Sequence, residues 1–286
     1  MLGHGWYSLA PYRTAADGMR LETVVALPEG GACPIRLEPS GDAVELRTPG
    51  RPKASTRRYL EAAARRVLSL DVDLEPFYVL VEGDPSLPWV AATGSGRLMR
   101  CPTMFEDLVK LVLTTNCSWA LTLRMVGSLV KLYGERAPDG SRSFPRPDRL
   151  AAAGKRALRE RVKTGYRAPL LAELARRVAE GEVDPEAWAT DRGDPAELRA
   201  ELLKLPGVGP YVAENVLRLL GRPCGLGLDS WLRAKYARIY HGGRRISDRT
   251  IARRYSRLGR WAGLGLWCDM TEDWFEDQQA RADSLQ

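Results

Sequence analysis

Two histidines, His4 and His241, are all that the 286 residues of this chain contain, so histidine-based acid–base chemistry or a histidine metal site has little to build on. Cysteine is scarce as well. The five present (Cys33, Cys101, Cys117, Cys224, Cys268) are odd in number, widely scattered and never spaced CxxC, which points away from a disulfide framework and from a zinc site. No apolar run reaches the ~18 residues of a membrane span. The opening MLGHGWYSLAPYR carries no signal-peptide pattern, and a soluble, cytoplasmic protein is expected. Internal repeats and low-complexity tracts are missing too. What is present is 44% hydrophobic residues, enough for a sizeable core in one or two domains, and a net charge of +7.

That charge is unevenly spread. Between Arg218 and Arg260, twelve lysines and arginines stand against two acids, Asp229 and Asp248. Such a run is ordinarily a solvated helix face. It also fits a nucleic-acid footprint, where cations supply salt-sensitive, sequence-independent affinity. A second basic stretch, Arg51 to Arg66, overlaps the helical pattern STRRYLEAAARRVLSL and reads as a solvated face.

Residues 1–98 hold short alternating segments, LETVVAL, PIRLEP and AVELRT, with Gly/Pro turns between them, then one helix, then FYVLVEG. This reads as a mixed α/β layer. Residues 99–286 are helical in pattern, with nine or ten helices expected from Met104 onward and loops at Ala137–Asp148 and His241–Asp248. The fold class is therefore α+β.

The densest information lies in LPGVGPYVAENVLRLL, Leu205 to Leu220. Leu198, Leu202, Leu203 and Leu205 before it, and Val212, Val216, Leu219 and Leu220 within it, keep helical spacing, so residues 198–220 read as two helices around a short turn. Pro206 stops the first helix, Gly207 and Gly209 allow positive φ and leave no side chain in the way, and Pro210 suits the first turn of the second. Unpaired amides around Gly207, Val208 and Gly209, with the positive end of the helix dipole, make a phosphate cradle. An ordinary helix–helix turn would read the same way. Asp229 follows Tyr211 by eighteen residues and directly precedes SWLRAKYARIY, so it is a helix N-cap, a reactive carboxylate, or both at once.

LPGVGPYVA with Asp229 resembles the helix-hairpin-helix (HhH-GPD) DNA glycosylase superfamily, closest to its 8-oxoguanine DNA glycosylase and 3-methyladenine DNA glycosylase II branches. Three further segments carry the resemblance in the same order: Phe105 to Gly134, TGYRAPLL (Thr164 to Leu171), and RWAGLGLWCDM (Arg260 to Met270). Together they span about residue 100 to the C-terminus. The resemblance implies a small antiparallel-sheet domain fused to a two-lobed helical domain, with the active cleft between the lobes. It implies double-stranded DNA containing a damaged base as the partner, with no membrane and no obligatory protein partner, and a nucleoid-associated location in a prokaryote. Some members carry a four-cysteine iron–sulfur cluster after the aspartate. Here only Cys268 lies there, so no cluster is expected. A monovalent or divalent cation at the hairpin is the one ion the resemblance leaves room for.

Residue by residue, the resemblance assigns Asn116 of TTN to the gap left by an everted nucleotide, Tyr166 to an aromatic wedge and Arg167 to reading the orphaned partner base. Asp229 becomes the carboxylate that supports water attack at the sugar. Members with lyase activity form a Schiff base through a lysine at the position of Tyr211, and a phenol cannot form that imine, so a monofunctional enzyme is expected. Lys163, Lys204 and Lys235 are the nearest other lysines. Leu266 and Met270 fall where the 8-oxoguanine branch places a glutamine and a phenylalanine of the base pocket, and Asn215 falls at its pocket cysteine. Tyr211 is instead similar to the aromatic pocket of the 3-methyladenine branch, to which Trp231 and Trp267 could add. Excision of a damaged purine, 8-oxoguanine ahead of alkylated purines, is the expectation; a non-catalytic DNA-binding module is the alternative of another class.

Overall fold

The computed structural model describes residues 5–15, 18–191 and 193–283, with side chains described up to residue 276; His4 lies outside them. Four strands, β1 (Arg13–Thr14), β2 (Leu21–Ala26), β3 (Ala32–Ser40) and β4 (Ala43–Arg47), form one antiparallel sheet in chain order. Helix α1 (Ala54–Val67) lays Leu60 and Ala63 onto Val25 and Ile35 of the sheet. FYVLVEG departs from the expected sheet layer, because it belongs to helix α2 (Glu75–Val81). Within that helix Phe77 and Val81, one turn apart, are buried while Val79 and Leu80 are exposed, a helical stripe rather than a strand's alternation. A short helix α3 (Pro88–Ala92) follows.

From Met104 onward nine α-helices are present among the described residues: α4 (Met104–Thr114), α5 (Trp119–Tyr133), α6 (Pro147–Glu160), α7 (Arg167–Ala179), α8 (Pro195–Leu202), α9 (Pro210–Leu219), α10 (Ser230–His241), α11 (Asp248–Tyr255) and α12 (Ala262–Asp283). Side-chain caps start several of them: Thr103 accepts from Glu106 N, Ser118 from Leu121 N, Asp194 from Ala196 N and Ser247 from Thr250 N. No helix of the described residues is long and apolar enough to cross a membrane.

Two cores organise the helices. The larger joins α4, α5, α7 and α9 to Trp6, Leu9, Tyr12 and the inner sheet residues Leu21 and Leu37. The second joins α2 and α3 to α10, α11 and α12. Helix α4 is buried from Met104 to Leu113, including three charged residues. Glu106 pairs with Lys110 at 2.7 Å, and Asp107 pairs with Arg66 of α1 at 2.9 Å. Asp107 Oδ1 also accepts from Trp6 Nε1 (2.7 Å) and Cys101 N (3.0 Å), so the N-terminal segment is bolted to the central helix.

The turn between α8 and α9 is tighter than its glycines imply. Gly207 has φ +80°, and a Cβ there would sit 3.2 Å from Val112 Cγ1 of α4, so both conformation and packing demand glycine. Gly209 does not use that freedom: its φ is −97°, an extended N-cap of α9 that any residue could adopt. Open ground surrounds the place its Cβ would take, which leaves the backbone accessible. Val208 is buried in the larger core and its amide donates to Leu205 O (3.1 Å), so it is not free for a phosphate. The unpaired donors are those of the first turn of α9, whose N–H groups have no intrahelical acceptor.

Candidate active site

Helix α9 places Tyr211, Asn215 and Arg218 along one face, four and then three residues apart. They line a cavity of about 540 Å³, together with Asp229 and Trp231 at the start of α10 and Trp267 and Trp274 of α12. Trp119 of α5 and Trp6 close it from the other side. Five of the chain's eight tryptophans meet there. The three from α10 and α12 form one cluster, with ring centres 5.2 Å apart for Trp231–Trp274, 6.0 Å for Trp267–Trp274 and 6.3 Å for Trp231–Trp267.

Asp229 caps α10, Oδ1 accepting from Leu232 N at 2.7 Å, while the same residue lines the cavity. One conformation thus caps the helix and puts the residue on the cavity wall. Asn215 Nδ2 donates to Tyr211 O (2.8 Å), and Arg218 donates to Asn215 Oδ1 (2.7 Å) and Leu226 O (2.8 Å). This chain of bonds fixes the floor. Burial lowers the Arg218 pKa below the usual arginine value. It raises that of Tyr211, against the pull of a hydrogen bond with Thr114, so the phenol stays protonated at neutral pH.

Leu266 and Met270 do not belong to this cavity, contrary to expectation. Both are fully buried in the second core. One residue turns a helix by about 100°, so the stripe through Leu266 and Met270 faces inward while Trp267 and Trp274 face the cavity. The pocket members that sequence reasoning missed are Arg218, which was counted with the basic run, and Trp6, Trp119 and Trp274. Arg218 carried a visible signal, since it lies seven residues after Tyr211. Trp6 did not, because its place depends on the hydrogen bond to Asp107, 101 residues away. Gly5 helps it there: a Cβ on Gly5 would stand 2.5 Å from Trp119 Cζ2, so glycine lets the segment lie flat on that ring.

At another edge, Asn116 follows α4 with φ +47° and Tyr166 precedes α7, 55% exposed. Asn116 Nδ2 donates to Tyr166 Oη at 3.2 Å, which brings the two proposed gap-fillers together. Arg167 is different from what was expected. It is 4% exposed, its guanidinium bonds Thr115 O, and it stacks 4.5 Å from the Tyr166 ring centre. In this arrangement the guanidinium is turned toward Thr115 and ties the loop after α4 to the start of α7. If this loop meets DNA as the resemblance implies, Arg167→Ala is expected to weaken duplex binding about tenfold, by one uniform factor opposite all four partner bases. Titrations against the four duplexes check this, since a base reader would lose most opposite a single partner.

The basic run also thins out. Arg222 pairs with Asp191, Arg233 with Asp248, Lys235 with Asp273, Arg254 with Asp269 and Arg257 with Asp84, while Arg218 is inside the cavity wall. Arg238, Arg244, Arg245, Arg249, Arg253 and Arg260 are exposed and take part in none of these pairs.

No protein-family model matches the chain. It is 26% identical over 92% of its length to a probable N-glycosylase/DNA lyase of Methanothermobacter thermautotrophicus, covering 89% of that protein. It is 31% identical to DNA-3-methyladenine glycosylase 2 of Escherichia coli, over 66% of the chain and 64% of that enzyme. Two solved structures share its fold. The 3-methyladenine DNA glycosylase of Archaeoglobus fulgidus superposes with a TM-score of 0.71 at 22% identity, over 96% of this chain and 93% of that one. The 8-oxoguanine glycosylase/lyase of Clostridium acetobutylicum does so at 0.70 and 17% identity, over 94% and 93%. Sheet and helices together thus make a DNA glycosylase fold. More particularly, its homologues and structural neighbours are DNA glycosylases of both the 8-oxoguanine and the 3-methyladenine types.

Proposed function

We propose that the chain is a base-excision-repair DNA glycosylase that flips a damaged purine from duplex DNA and hydrolyses its N-glycosidic bond with water. The observation that carries this reading is Asp229, a carboxylate pinned by its own helix cap on the wall of an aromatic cavity. In this reading α8, the turn and α9 are the helix-hairpin-helix, whose first-turn amides hold a phosphate. The two cores are the two lobes, and the exposed arginines track the backbone. Extruding the nucleotide costs a few kcal/mol, and stacking on aromatic walls returns about 1–3 kcal/mol per base. Asn116 and Tyr166 fill the gap left behind.

Chemistry then falls to Asp229. As the C1′–N bond stretches, positive charge grows on the sugar and the carboxylate stabilises it. The same group orients the water and takes its proton as oxygen bonds to C1′, while the base leaves with the former bonding pair and is protonated in turn. The reaction takes place wherever the chromosome lies, in the cytoplasm of a prokaryote.

Tyr211 supports the absence of a lyase step, because a phenol cannot form an imine. Lys235 Nζ is held by Asp273 at 2.6 Å, and Lys163 and Lys204 are not among the cavity residues. Borohydride added during turnover is expected to trap no protein–DNA adduct; a covalent adduct on a denaturing gel would make the enzyme bifunctional. For the lesion, 8-oxoguanine stands first on the strength of Asn116 and Tyr166. The alkylpurine reading draws on the aromatic walls with Tyr211 and Trp267. A non-catalytic module would use Asp229 only as the cap of α10 and would give no reason for its place on the cavity wall. Duplexes carrying 8-oxoguanine, alkylated adenine, hypoxanthine or uracil, each opposite all four partners, decide among these by which base is released.

A further inference from the structure

The aromatic walls of the cavity already carry cations belonging to the protein. Arg218 Cζ stands 5.5 Å from the Trp267 ring centre, and Lys235 Nζ stands 5.2 Å from that of Trp231 and 5.6 Å from that of Trp274. These are the three cavity tryptophans of α10 and α12. Both cations are shut away from water, Arg218 at 5% exposure and the Lys235 side chain at 6%. Arg218 is anchored to Asn215 Oδ1 and Leu226 O, yet its buried Nε has no hydrogen-bond partner.

The opposing acids are less effective at the ring faces. Asp229 is the single acid among the described residues that line the cavity, and one of its oxygens is held by Leu232 N. Asp273, the partner of Lys235, is 53% exposed, so water screens its charge more than it screens the buried ammonium. An aromatic face attracts a cation through its quadrupole, and a second cation brought to a ring so engaged meets direct Coulomb repulsion.

We infer that Arg218 and Lys235 are specificity-determining residues that make the cavity a charge filter, admitting uncharged purines and turning away purines made cationic by N-alkylation. The inference rests on the proposed reading of this cavity as the base pocket, and it separates the two substrate classes left open there. One unit charge across a space of this size, at the effective dielectric of a protein site, is worth about tenfold in affinity or more.

The test uses two isomers that differ in charge. The full chain is titrated at mildly acid pH with 1-methyladenosine, a cation there, and with uncharged N6-methyladenosine, following the fluorescence of the cavity tryptophans. The neutral isomer is expected to bind about tenfold more tightly. Arg218→Gln and Lys235→Gln should each narrow that ratio severalfold, whereas Arg218→Lys and Lys235→Arg should keep it. Melting curves show that each variant is folded. Equal or tighter binding of the cation by the unmodified protein overturns the proposal. So does an equal change of the ratio by charge-removing and charge-keeping variants, or a failure of both isomers to quench. Excision assays run in parallel: if the neutral preference stands but no base leaves any lesion duplex, the glycosylase reading fails and the charge filter survives.

Discussion

Replacing Asp229 by asparagine is expected to slow base release by about a thousandfold while leaving duplex affinity close to that of the unmodified protein. The separation follows from the two roles the residue holds. Asparagine caps a helix about as well as aspartate, so the bond to Leu232 N and the geometry of α10 should survive. On the proposed mechanism, what disappears is the negative charge that meets the developing cation at C1′ and the base that takes the proton from water. Asp229→Ala supplies the contrast, since it loses both the charge and the cap and should lower stability by about 1 kcal/mol besides. Single-turnover release from lesion duplex, measured with binding and thermal melting on the same preparations, checks all three statements. Cleavage by the asparagine variant at the unmodified rate would remove Asp229 from the chemistry.

A large effect on stability is expected at Lys110. Its ammonium pairs with Glu106 at 2.7 Å, lies 5.0 Å from the Tyr12 ring centre, and is wholly buried. Lys110→Met leaves a buried carboxylate without its cation, a change that typically costs about 3–5 kcal/mol out of a total stability of roughly 5–15 kcal/mol. The pH dependence has a definite sign. Burial, the largest influence on Glu106, already raises its pKa in the intact protein, and removing the lysine raises it further. The folded variant therefore binds a proton that the unfolded chain releases, and its stability should recover as pH falls through the folded-state pKa. Lys110→Met combined with Glu106→Leu should recover most of the loss at every pH. Urea unfolding across a pH series measures this; a single variant as stable as the parent at neutral pH would show that the pair contributes nothing.

How much of this was legible in the sequence differs from residue to residue. The α8–turn–α9 unit could be read because its signals are local: leucines at helical spacing, Pro206 and Pro210 as punctuation, and Gly207 where φ is positive. The double position of Asp229 was legible for the same reason. Local pattern failed where a choice of face depended on the other side of the molecule. On α12 a register difference of one residue decided whether Leu266 and Met270 or Trp267 and Trp274 met the cavity. FYVLVEG is apolar enough to suit a strand, and the contacts of Phe77 and Val81 with the second core make it helical. Arg167 has the composition of a base reader, and only the carbonyl of Thr115, 52 residues away, shows where its guanidinium goes. Charge counting likewise could not see that much of the basic run is neutralised by Asp84, Asp191, Asp248, Asp269 and Asp273.

The hydrogen bond between Asn116 and Tyr166 bears on the timing of the entropy loss. Two side chains from separate loops hold each other, and Arg167 stacks against the ring. If these residues enter the helix, they enter as one preassembled finger, and the cost of ordering them belongs to folding rather than to binding. Such a protein can press each base step with a rigid probe as it moves along DNA, and yielding is then a property of the step itself: a weakened pair opens and a sound one does not.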